Sequence, residues 1–278
     1  MPELPEVTTI VNELKAEIVG KRIDDIEVRL PKMVQGDIGR VIGQKVARVE
    51  RRAKLIIIRL SVENLAIHLK MSGQLFFLPS GQEQTVAGEK ENKFTHVIFY
   101  FSDGSRLLFN DLRQFGYVKI LTSDQLQKLV TEGYGIEPVD PSFTTDKLKE
   151  IIRLHPSMRM KVLLTDQTII AGIGNIYVDE ALWEAKIHPL TKASVVTDQA
   201  IKALHDGIKK VLSDALKYMG TSMDTYRRTT GEKGEYEFHR RVYRRDGEPC
   251  PRCKTTIKRI TVGGRGTHFC PKEQVQKD

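Results

Sequence analysis

The spacing of apolar residues changes twice along the chain, and this limits which folds it can adopt. Near the N-terminus the spacing is helical, at Val7, Ile10, Val11, Leu14 and Ile18. From residue 22 to residue 121 apolar residues alternate with polar ones or form short β-branched runs, as in strands. Beyond Gly133 the helical spacing returns. This order predicts an α+β chain, with an N-terminal helix and an antiparallel β-domain, either a sandwich or a flattened barrel, followed by a helical region.

Turn-forming residues divide the chain further. Gly133, Gly135, Pro138 and Pro141 mark one boundary. We predict a sandwich domain with its helix over residues 1–134, a helical domain that ends in a polar loop over 135–241, and a β-ribbon around three cysteines over 242–278. The polar stretch from Pro79 to Asn92 is predicted to be a long exposed loop.

The charge of the chain is uneven. The 278 residues carry 44 Lys and Arg against 36 Asp and Glu, and the part from Thr221 onward alone carries 14 against 8. A basic C-terminal region favours a polyanionic partner such as nucleic acid, although a merely solvated basic face is the ordinary alternative. No apolar run approaches the ~20 residues that span a bilayer, and no secretory segment follows Met1. We therefore expect a cytoplasmic protein without a membrane partner.

The first seven residues, Met1-Pro2-Glu3-Leu4-Pro5-Glu6-Val7, combine a helix start with a potential nucleophile. Removal of Met1 would expose the secondary amine of Pro2, and an α-amino group titrates near ~8. Such an amine can attack a sugar carbon and form an iminium, while Glu3 stands close enough in sequence to donate a proton. The alternative is an ordinary capped helix with a solvated end.

The three cysteines are clustered near the C-terminus. Cys250, Cys253 and Cys270 are followed by Glu273 in the spacing of a zinc ribbon whose fourth ligand is usually cysteine. An odd, clustered set indicates a metal site more than disulfides. Three alternatives remain: Glu273 is the fourth ligand, His268 is, or the ribbon folds by packing without metal.

Several motifs together resemble the formamidopyrimidine-DNA glycosylase family of bacterial repair enzymes. They are PELPEV after Met1, Arg-Gln-Phe-Gly at 113–116, Gly-Ile-Gly-Asn-Ile-Tyr at 172–177, and the cysteine ribbon. The resemblance implies a helix–two-turns–helix domain and a zinc-ribbon-like β-hairpin after the sandwich. The chain departs from the family pattern at Thr8, where another Glu is frequent, and at Glu273.

The resemblance also implies an activity. The family removes oxidised purines, such as 8-oxoguanine and formamidopyrimidines, through a Schiff base on the N-terminal proline, and then cleaves the strand by β,δ-elimination. The expected partner is double-stranded damaged DNA, and the expected state is a monomer. By this resemblance Pro2 is the nucleophile, Glu3 the proton donor, and Glu6 orients the N-terminus. Lys54 would assist at the reacting nucleotide, and Arg265, at a glycine-rich hairpin tip, would clamp a phosphate.

Further residues match DNA contacts of the family. Met71 and Phe115 would enter the gap left by an extruded base, and Arg113 would hydrogen-bond the orphaned cytosine. His96 would contact the DNA backbone, although a buried strand histidine is an equally ordinary reading. Phosphates would be gripped by Arg159, Lys161 and Asn175. The loop from 220 to 241 would cover the extruded purine.

One structural Zn²⁺ is expected, held by Cys250, Cys253, Cys270 and Glu273. Two other functions stay open from the sequence. The first is an oxidised-pyrimidine glycosylase of the endonuclease VIII type, against which Leu4 argues because that branch typically has glycine there. The second is a DNA-binding protein without catalysis.

Overall fold

The computed structural model describes residues 1–82 and 91–277, so most of the predicted loop from Pro79 to Asn92 lies outside the described residues. The chain forms two compact units. The first contains residues up to Glu132 together with Leu216–Glu237, and the second contains Gly133–Ala215 and the chain from Phe238 onward.

Within residues 1–82, 91–132 and 216–237, the first unit contains two helices and nine strands. They are α1 (Leu4–Ile18), β1 (Ile23–Val28), β2 (Val34–Gln35), β3 (Val46–Arg52), β4 (Leu55–Leu60), β5 (Asn64–His68), β6 (Gly73–Leu78), β7 (Thr95–Phe101), β8 (Arg106–Asp111), β9 (Tyr117–Leu121) and α2 (Ser123–Glu132). Short 3₁₀ helices cover Pro31–Met33 and Ile38–Arg40. The N-terminal helix and the strand region thus agree with the sequence analysis.

The strands form two sheets that share one core. The four-stranded sheet has the order β1-β7-β8-β6 and the five-stranded sheet the order β2-β9-β5-β4-β3. All named pairings are antiparallel except that of β2 with β9. Phe99 and Phe109 of one sheet, Ile56 and Ile58 of the other, and the apolar face of α1 belong to a single buried cluster. The predicted α+β sandwich with an N-terminal helix is confirmed.

Helix α2 was not predicted, because Ser123–Glu132 is mostly polar. It buries Leu126 against Leu55, Ile57 and Ala66 on the face of the five-stranded sheet. One apolar face is sufficient to hold a surface helix when a sheet covers it. A ten-residue helix with a single fully buried residue gives a weak periodic signal.

The segment Leu216–Glu237 packs with the first unit, whereas the sequence analysis placed it with the helical domain. Tyr226 is buried in the sandwich core, and the N–H of Phe77 in β6 donates to the carbonyl of Thr229 at 2.9 Å. Because these partners are distant in sequence, no local motif predicts the contacts between them. The two boundaries between the three predicted domains stay a prediction.

The second unit contains helices and one hairpin. Its elements are α3 (Thr145–Leu154), α4 (Met160–Thr165), α5 (Asn175–Glu184), α6 (Asp198–Lys217, whose last turn lies in the first unit), β10 (Lys258–Val262) and β11 (Arg265–Phe269), with 3₁₀ helices at Ala193–Val195 and Tyr236–His239. Thr144 caps α3 by accepting the N–H of Lys147 at 3.1 Å. Trp183 of α5 packs with Cys250 and Cys270 beside the ribbon.

Among the residues that the structure describes, none of the helices combines the length and apolar character needed to cross a membrane.

Candidate active site

The start of α1 is fixed by reciprocal hydrogen bonds. Glu3 is the N-cap residue, and its backbone N–H donates to Oε2 of Glu6 at 2.8 Å, while the Glu3 side chain accepts from the Glu6 backbone. This capping box satisfies two N–H groups that a helix start would otherwise leave to solvent. Pro2, Glu3 and Glu6 are all buried. The residue proposed as nucleophile therefore belongs to a packed helix start and not to a frayed tail.

Glu6 also connects the helix start to the segment Leu216–Glu237. Its Oε1 accepts the backbone N–H of Thr221 at 2.7 Å. The preceding Gly220 has φ +82°, and a Cβ atom there would lie 2.7 Å from the same oxygen. Glycine is required at this position both for the left-handed backbone and for the close approach of the carboxylate.

A second carboxylate of α1, that of Glu13, holds the same segment farther along. One oxygen pairs with Nε of Arg228 at 2.5 Å. The other accepts the backbone N–H and the hydroxyl of Thr229 at 2.9 and 2.8 Å. Burial, with the nearby charges of Glu6 and Glu13, raises the pKa of Tyr226 well above its usual value, so its hydroxyl stays protonated. The segment is thus attached to α1 at two places, at Thr221 through Glu6 and at Arg228 and Thr229 through Glu13.

Lys54 lies in the turn between β3 and β4. It is buried, and Ala53 before it has φ +52°. The pKa of the neighbouring His68 is lowered to about 3, mainly by burial and then by the positive charges of Lys70 and Lys54. The imidazole is therefore neutral, and its Nδ1 accepts the N–H of Lys70 at 2.9 Å. A buried ammonium beside a neutral histidine is suited to hold an anion or move a proton.

Met71, Arg113 and Phe115 come together at the surface of the first unit. Nη1 of Arg113 lies 3.1 Å from Sδ of Met71, and its guanidinium carbon lies 5.0 Å from the centre of the Phe115 ring. Met71 and Phe115 are 44% and 54% exposed. Large apolar side chains exposed as a group mark interaction sites. The structure thus brings together the three residues that the sequence analysis assigned to one task.

His96 has the position of the buried strand histidine that the sequence analysis gave as its alternative. It lies buried on β7, and its Nε2 donates to the backbone carbonyl of Asp111 at 3.0 Å. A carbonyl oxygen can only accept, so this ring nitrogen carries the proton. His96 thus supports the loop that follows β8, and its predicted contact with the DNA backbone stays a prediction.

Lys161 is also buried. Its ammonium is 1% exposed, pairs with Oδ1 of Asp179 at 2.6 Å and donates to the carbonyl of Asn175 at 3.2 Å. A buried charge must be paired, and this one is. The predicted phosphate contact of Lys161 stays a prediction, and Arg159, at the N-cap of α4, is exposed.

Asn175 begins α5, with Gly174 as N-cap. Its Nδ2 donates to the carbonyl of Gly266 at 2.9 Å, and within the described residues its buried Oδ1 has no hydrogen-bond partner. Asp179, one turn later, accepts the backbone N–H of His268 at 2.8 Å. Helix α5 is therefore tied to β11 at two places.

Arg265 follows the tip of the β10–β11 hairpin and is exposed. Gly263 and Gly264 have φ of +56° and +73°, the conformation that a two-residue type I′ turn requires. A cavity of about 430 Å³ lies beside the hairpin, and Asn175, Arg244 and Arg259 are among the residues that line it. The sequence analysis missed these two arginines, because no motif distinguishes them from other surface cations.

The three cysteine sulfurs converge in the second unit. The Sγ atoms of Cys250, Cys253 and Cys270 all lie within 4.8 Å of one another. Three thiolates at this separation fit three corners of a zinc tetrahedron with Zn–S bonds of about 2.3 Å. A hydrogen bond from Thr255 is the largest cause that lowers the pKa of Cys253 to about 7.

Neither predicted fourth ligand joins these sulfurs in the structure. Oε2 of Glu273 lies 3.2 Å from Nζ of Lys186. The ring of His268 contacts Asp179 and Asp246, at 3.1 and 3.4 Å. Among the described part of the chain, the group of candidate ligands contains the three cysteines alone.

Three family models match the chain in succession. The formamidopyrimidine-DNA glycosylase N-terminal domain matches residues 1–118, the H2TH domain of the same enzyme matches 134–227, and a zinc finger found in FPG and IleRS matches 247–272. A protein named formamidopyrimidine-DNA glycosylase from Exiguobacterium sibiricum is 40% identical over 277 residues, covering 98% of both chains. One of the same name from Roseiflexus is 41% identical, covering 99% of this chain and 100% of its own.

Solved structures agree with the sequence matches. MutM in complex with DNA containing carbocyclic 8-oxo-G is similar with a TM-score of 0.88 and 36% identity, covering 99% of this chain and 100% of its own. Lactococcus lactis Fpg in complex with DNA containing an abasic site has the same TM-score and 35% identity, with equal coverage.

Proposed function

Because this chain belongs to the formamidopyrimidine-DNA glycosylase family, and is thus a base-excision repair glycosylase and AP lyase, we propose that Pro2 is its nucleophile and Glu3 its proton donor. The observation that carries this assignment is the buried helix start, where Glu6 fixes the backbone of Glu3. A nucleophile held in one geometry avoids much of the entropy cost of a bimolecular step.

The proposed reaction begins after Met1 has been removed. The lone pair of the Pro2 nitrogen attacks C1′ of the damaged nucleotide as the bond from C1′ to the base breaks. The base leaves with the electron pair of that bond and takes up the hydrogen that the Pro2 nitrogen loses. Glu3 gives its proton to O4′ as the sugar ring opens, so the nitrogen and C1′ form an iminium. The iminium withdraws electrons and acidifies the C2′ protons. Successive eliminations then expel the 3′ and 5′ phosphates.

Two cations are proposed to assist these steps. Lys54 would contact the reacting nucleotide from the turn before β4, where its buried ammonium lies beside the neutral His68. Arg265 would clamp a phosphate from the hairpin tip, because guanidinium can bind phosphate through two parallel hydrogen bonds. Both assignments rest on the family match at these positions.

The substrate is proposed to be double-stranded DNA with an oxidised purine. Met71 and Phe115 would fill the gap left by the extruded base, and Arg113 would bond the orphaned base. Arg159 and Asn175 would contact phosphates, and His96 and Lys161 would support the site from within. Related structures that contain 8-oxo-G or abasic DNA support this substrate class. Action as a monomer in the cytoplasm stays a prediction.

One structural Zn²⁺ is proposed at Cys250, Cys253 and Cys270, which supply three of the four usual ligands. When bound, the ion would cross-link the chain around the β10–β11 hairpin that carries Arg265. Glu273 is proposed as the fourth ligand, and to reach the ion its carboxylate must leave Lys186.

Side-by-side excision assays test the substrate assignment. Wild-type protein is incubated with duplexes that contain 8-oxoguanine or thymine glycol, and with an undamaged duplex as control. We expect much faster excision of 8-oxoguanine. Faster excision of thymine glycol would favour the endonuclease VIII type, and binding without excision of either lesion would contradict an enzymatic function. In Lys54→Ala, excision should slow more than DNA binding weakens, whereas equal losses would argue against a chemical role for Lys54.

A further inference from the structure

The three exposed residues of the proposed void-filling group come from two different loops. Met71 lies in the connection between β5 and β6, while Arg113 and Phe115 lie between β8 and β9. One buried carboxylate, that of Asp111, lies beneath both connections and is 0% exposed. It belongs to neither the proposed catalytic residues nor the proposed DNA contacts.

The Asp111 carboxylate binds both loops directly. Its Oδ1 accepts the hydroxyl of Ser72 at 2.6 Å and the backbone N–H of Arg113 at 3.2 Å. Its Oδ2 accepts the backbone N–H of Gly116 at 2.7 Å. The hydroxyl oxygen of Ser72 also accepts the N–H of Arg113, at 2.9 Å. The carboxylate thus closes the second loop at both ends and ties it to the residue that follows Met71.

Both loops have backbone conformations that need such support. Lys70 and Gln114 have φ of +50° and +57°, which is unfavourable for residues with a Cβ atom. A residue in this region keeps its conformation only where its surroundings hold it. The space around Gly116 is equally restricted, since a Cβ atom there would lie 2.6 Å from the Phe109 ring and 3.0 Å from Oδ2 of Asp111.

Side chains that enter a duplex must keep the separated bases from stacking again, and unstacking costs a few kcal/mol. If the two loops moved independently, ordering them on insertion would cost free energy, and these side chains would oppose restacking less well. We infer that Asp111, with Ser72, is a positioning residue for void filling, and that it makes Met71, Arg113 and Phe115 enter the DNA as one rigid unit. This inference rests on the proposed function, because it presupposes extrusion of the damaged nucleotide.

Two variants test the inference. Ser72→Ala removes the link between the loops but leaves the Asp111 contacts with Arg113 and Gly116. Asp111→Asn keeps the side-chain volume but turns one acceptor into a donor that faces an N–H group. The matched control is Ser105→Ala, because Ser105 is also buried in the first unit and its hydroxyl also donates to an aspartate, Asp103, at 2.6 Å.

Three readouts separate positioning from general stability. The first is single-turnover excision from an 8-oxoguanine duplex. The second is fluorescence of 2-aminopurine placed opposite the lesion, which reports opening of the stack. The third is cleavage of an abasic site in single-stranded DNA, where there is no opposite strand and therefore no void to fill.

We expect Ser72→Ala and Asp111→Asn to slow duplex excision about tenfold or more, as for the loss of a buried hydrogen bond, and to delay the fluorescence change equally. Cleavage of the single strand should stay near the wild-type rate, and Ser105→Ala should resemble wild type in all three assays.

Equal losses on duplex and single strand, or a Ser72→Ala protein that behaves as Ser105→Ala does, would overturn the inference. Should Asp111→Asn fail to fold, Ser72→Ala alone decides between these results. A wild-type protein inactive on both substrates would contradict the proposed function itself.

Discussion

The start of α1 and the cysteine ribbon are both small polar sites, but they are held together differently. At the start of α1, the two oxygens of Glu6 accept N–H groups of Glu3 and Thr221. In the ribbon, three sulfurs converge on one another, and Glu273, at the usual fourth position, pairs with Lys186. The helix start is organised by the chain's own hydrogen bonds, whereas the ribbon brings together three thiols in an arrangement that suits a metal ion.

The largest expected effect tests the proposed role of Glu3 at the start of α1. Glu3→Gln keeps the size of the side chain but cannot donate a carboxylic proton, so we expect base excision to fall by about 10²–10⁴-fold. DNA binding should change little. Glu17→Gln, at an exposed position of the same helix, serves as the control. Single-turnover kinetics of both variants measure this, and normal excision by Glu3→Gln would contradict the assignment of the acid.

A second prediction separates the destabilisation caused by a clash with Glu6 from that caused by the left-handed backbone of Gly220. Gly220→Ala places a Cβ atom against Oε1 of Glu6 at φ +82°, whereas Gly43→Ala has a similar φ of +78° and no atom within 4 Å. Both should lose about 1–2 kcal/mol for the left-handed backbone. We expect Gly220→Ala to lose more free energy of unfolding in urea and to lose excision as well. Equal effects in the two variants would show that the close contact does not matter.

Low pH should reduce the free energy of unfolding of the first unit, because His68 is held neutral there. Its pKa is about 3 in the folded protein and about 6.5 when unfolded. Stability from the neutral imidazole is fully present above pH 6.5 and is lost as the pH falls toward 3, because only the unfolded chain binds the proton there. At pH 5 this amounts to about 2 kcal/mol. Urea unfolding of wild type and His68→Gln at pH 7.5 and pH 5 measures it, and an equal acid loss in both would exclude His68 as the cause.

The smallest expected effect lies in the ribbon. Glu273→Cys supplies a fourth thiolate, and we expect zinc affinity to rise on the order of tenfold, which is about 1.4 kcal/mol. Competition with a chromogenic chelator measures the affinity, and Glu248→Cys, which adds a thiol at an exposed site, is the control. Unchanged zinc retention in Glu273→Cys would argue against position 273 as a ligand position.

Local patterns predicted the features that local chemistry determines. The helical spacing of α1, the alternation of the strands, the Gly263-Gly264 turn and the cysteine spacing each depend on residues close in sequence. Features that depend on distant partners, such as the contacts of buried polar side chains, were not predicted. Lys161 is buried because Asp179 lies opposite it on another helix, and His96 is buried because the carbonyl of Asp111 needs a donor.

The same reasoning applies to the residues around the site. Glu13, Asp111 and Arg259 carry no motif. Only the folded chain places Glu13 against the segment Leu216–Glu237, Asp111 under the two loops that carry Met71 and Phe115, and Arg259 at the cavity that Asn175 also lines. Glu273 illustrates the opposite case. Its spacing predicted a metal ligand, whereas its carboxylate lies 3.2 Å from the ammonium of Lys186, a residue that no motif connects with it.

Borohydride trapping tests the central claim most directly. Wild-type protein reacts with an 8-oxoguanine duplex in the presence of borohydride, and mass spectrometry then locates the reduced sugar on the chain. The account predicts a protein that lacks Met1, an adduct on the nitrogen of Pro2, and no adduct in Pro2→Gly. Active protein that retains Met1, an adduct on another residue such as Lys54, or normal cleavage by Pro2→Gly would contradict it.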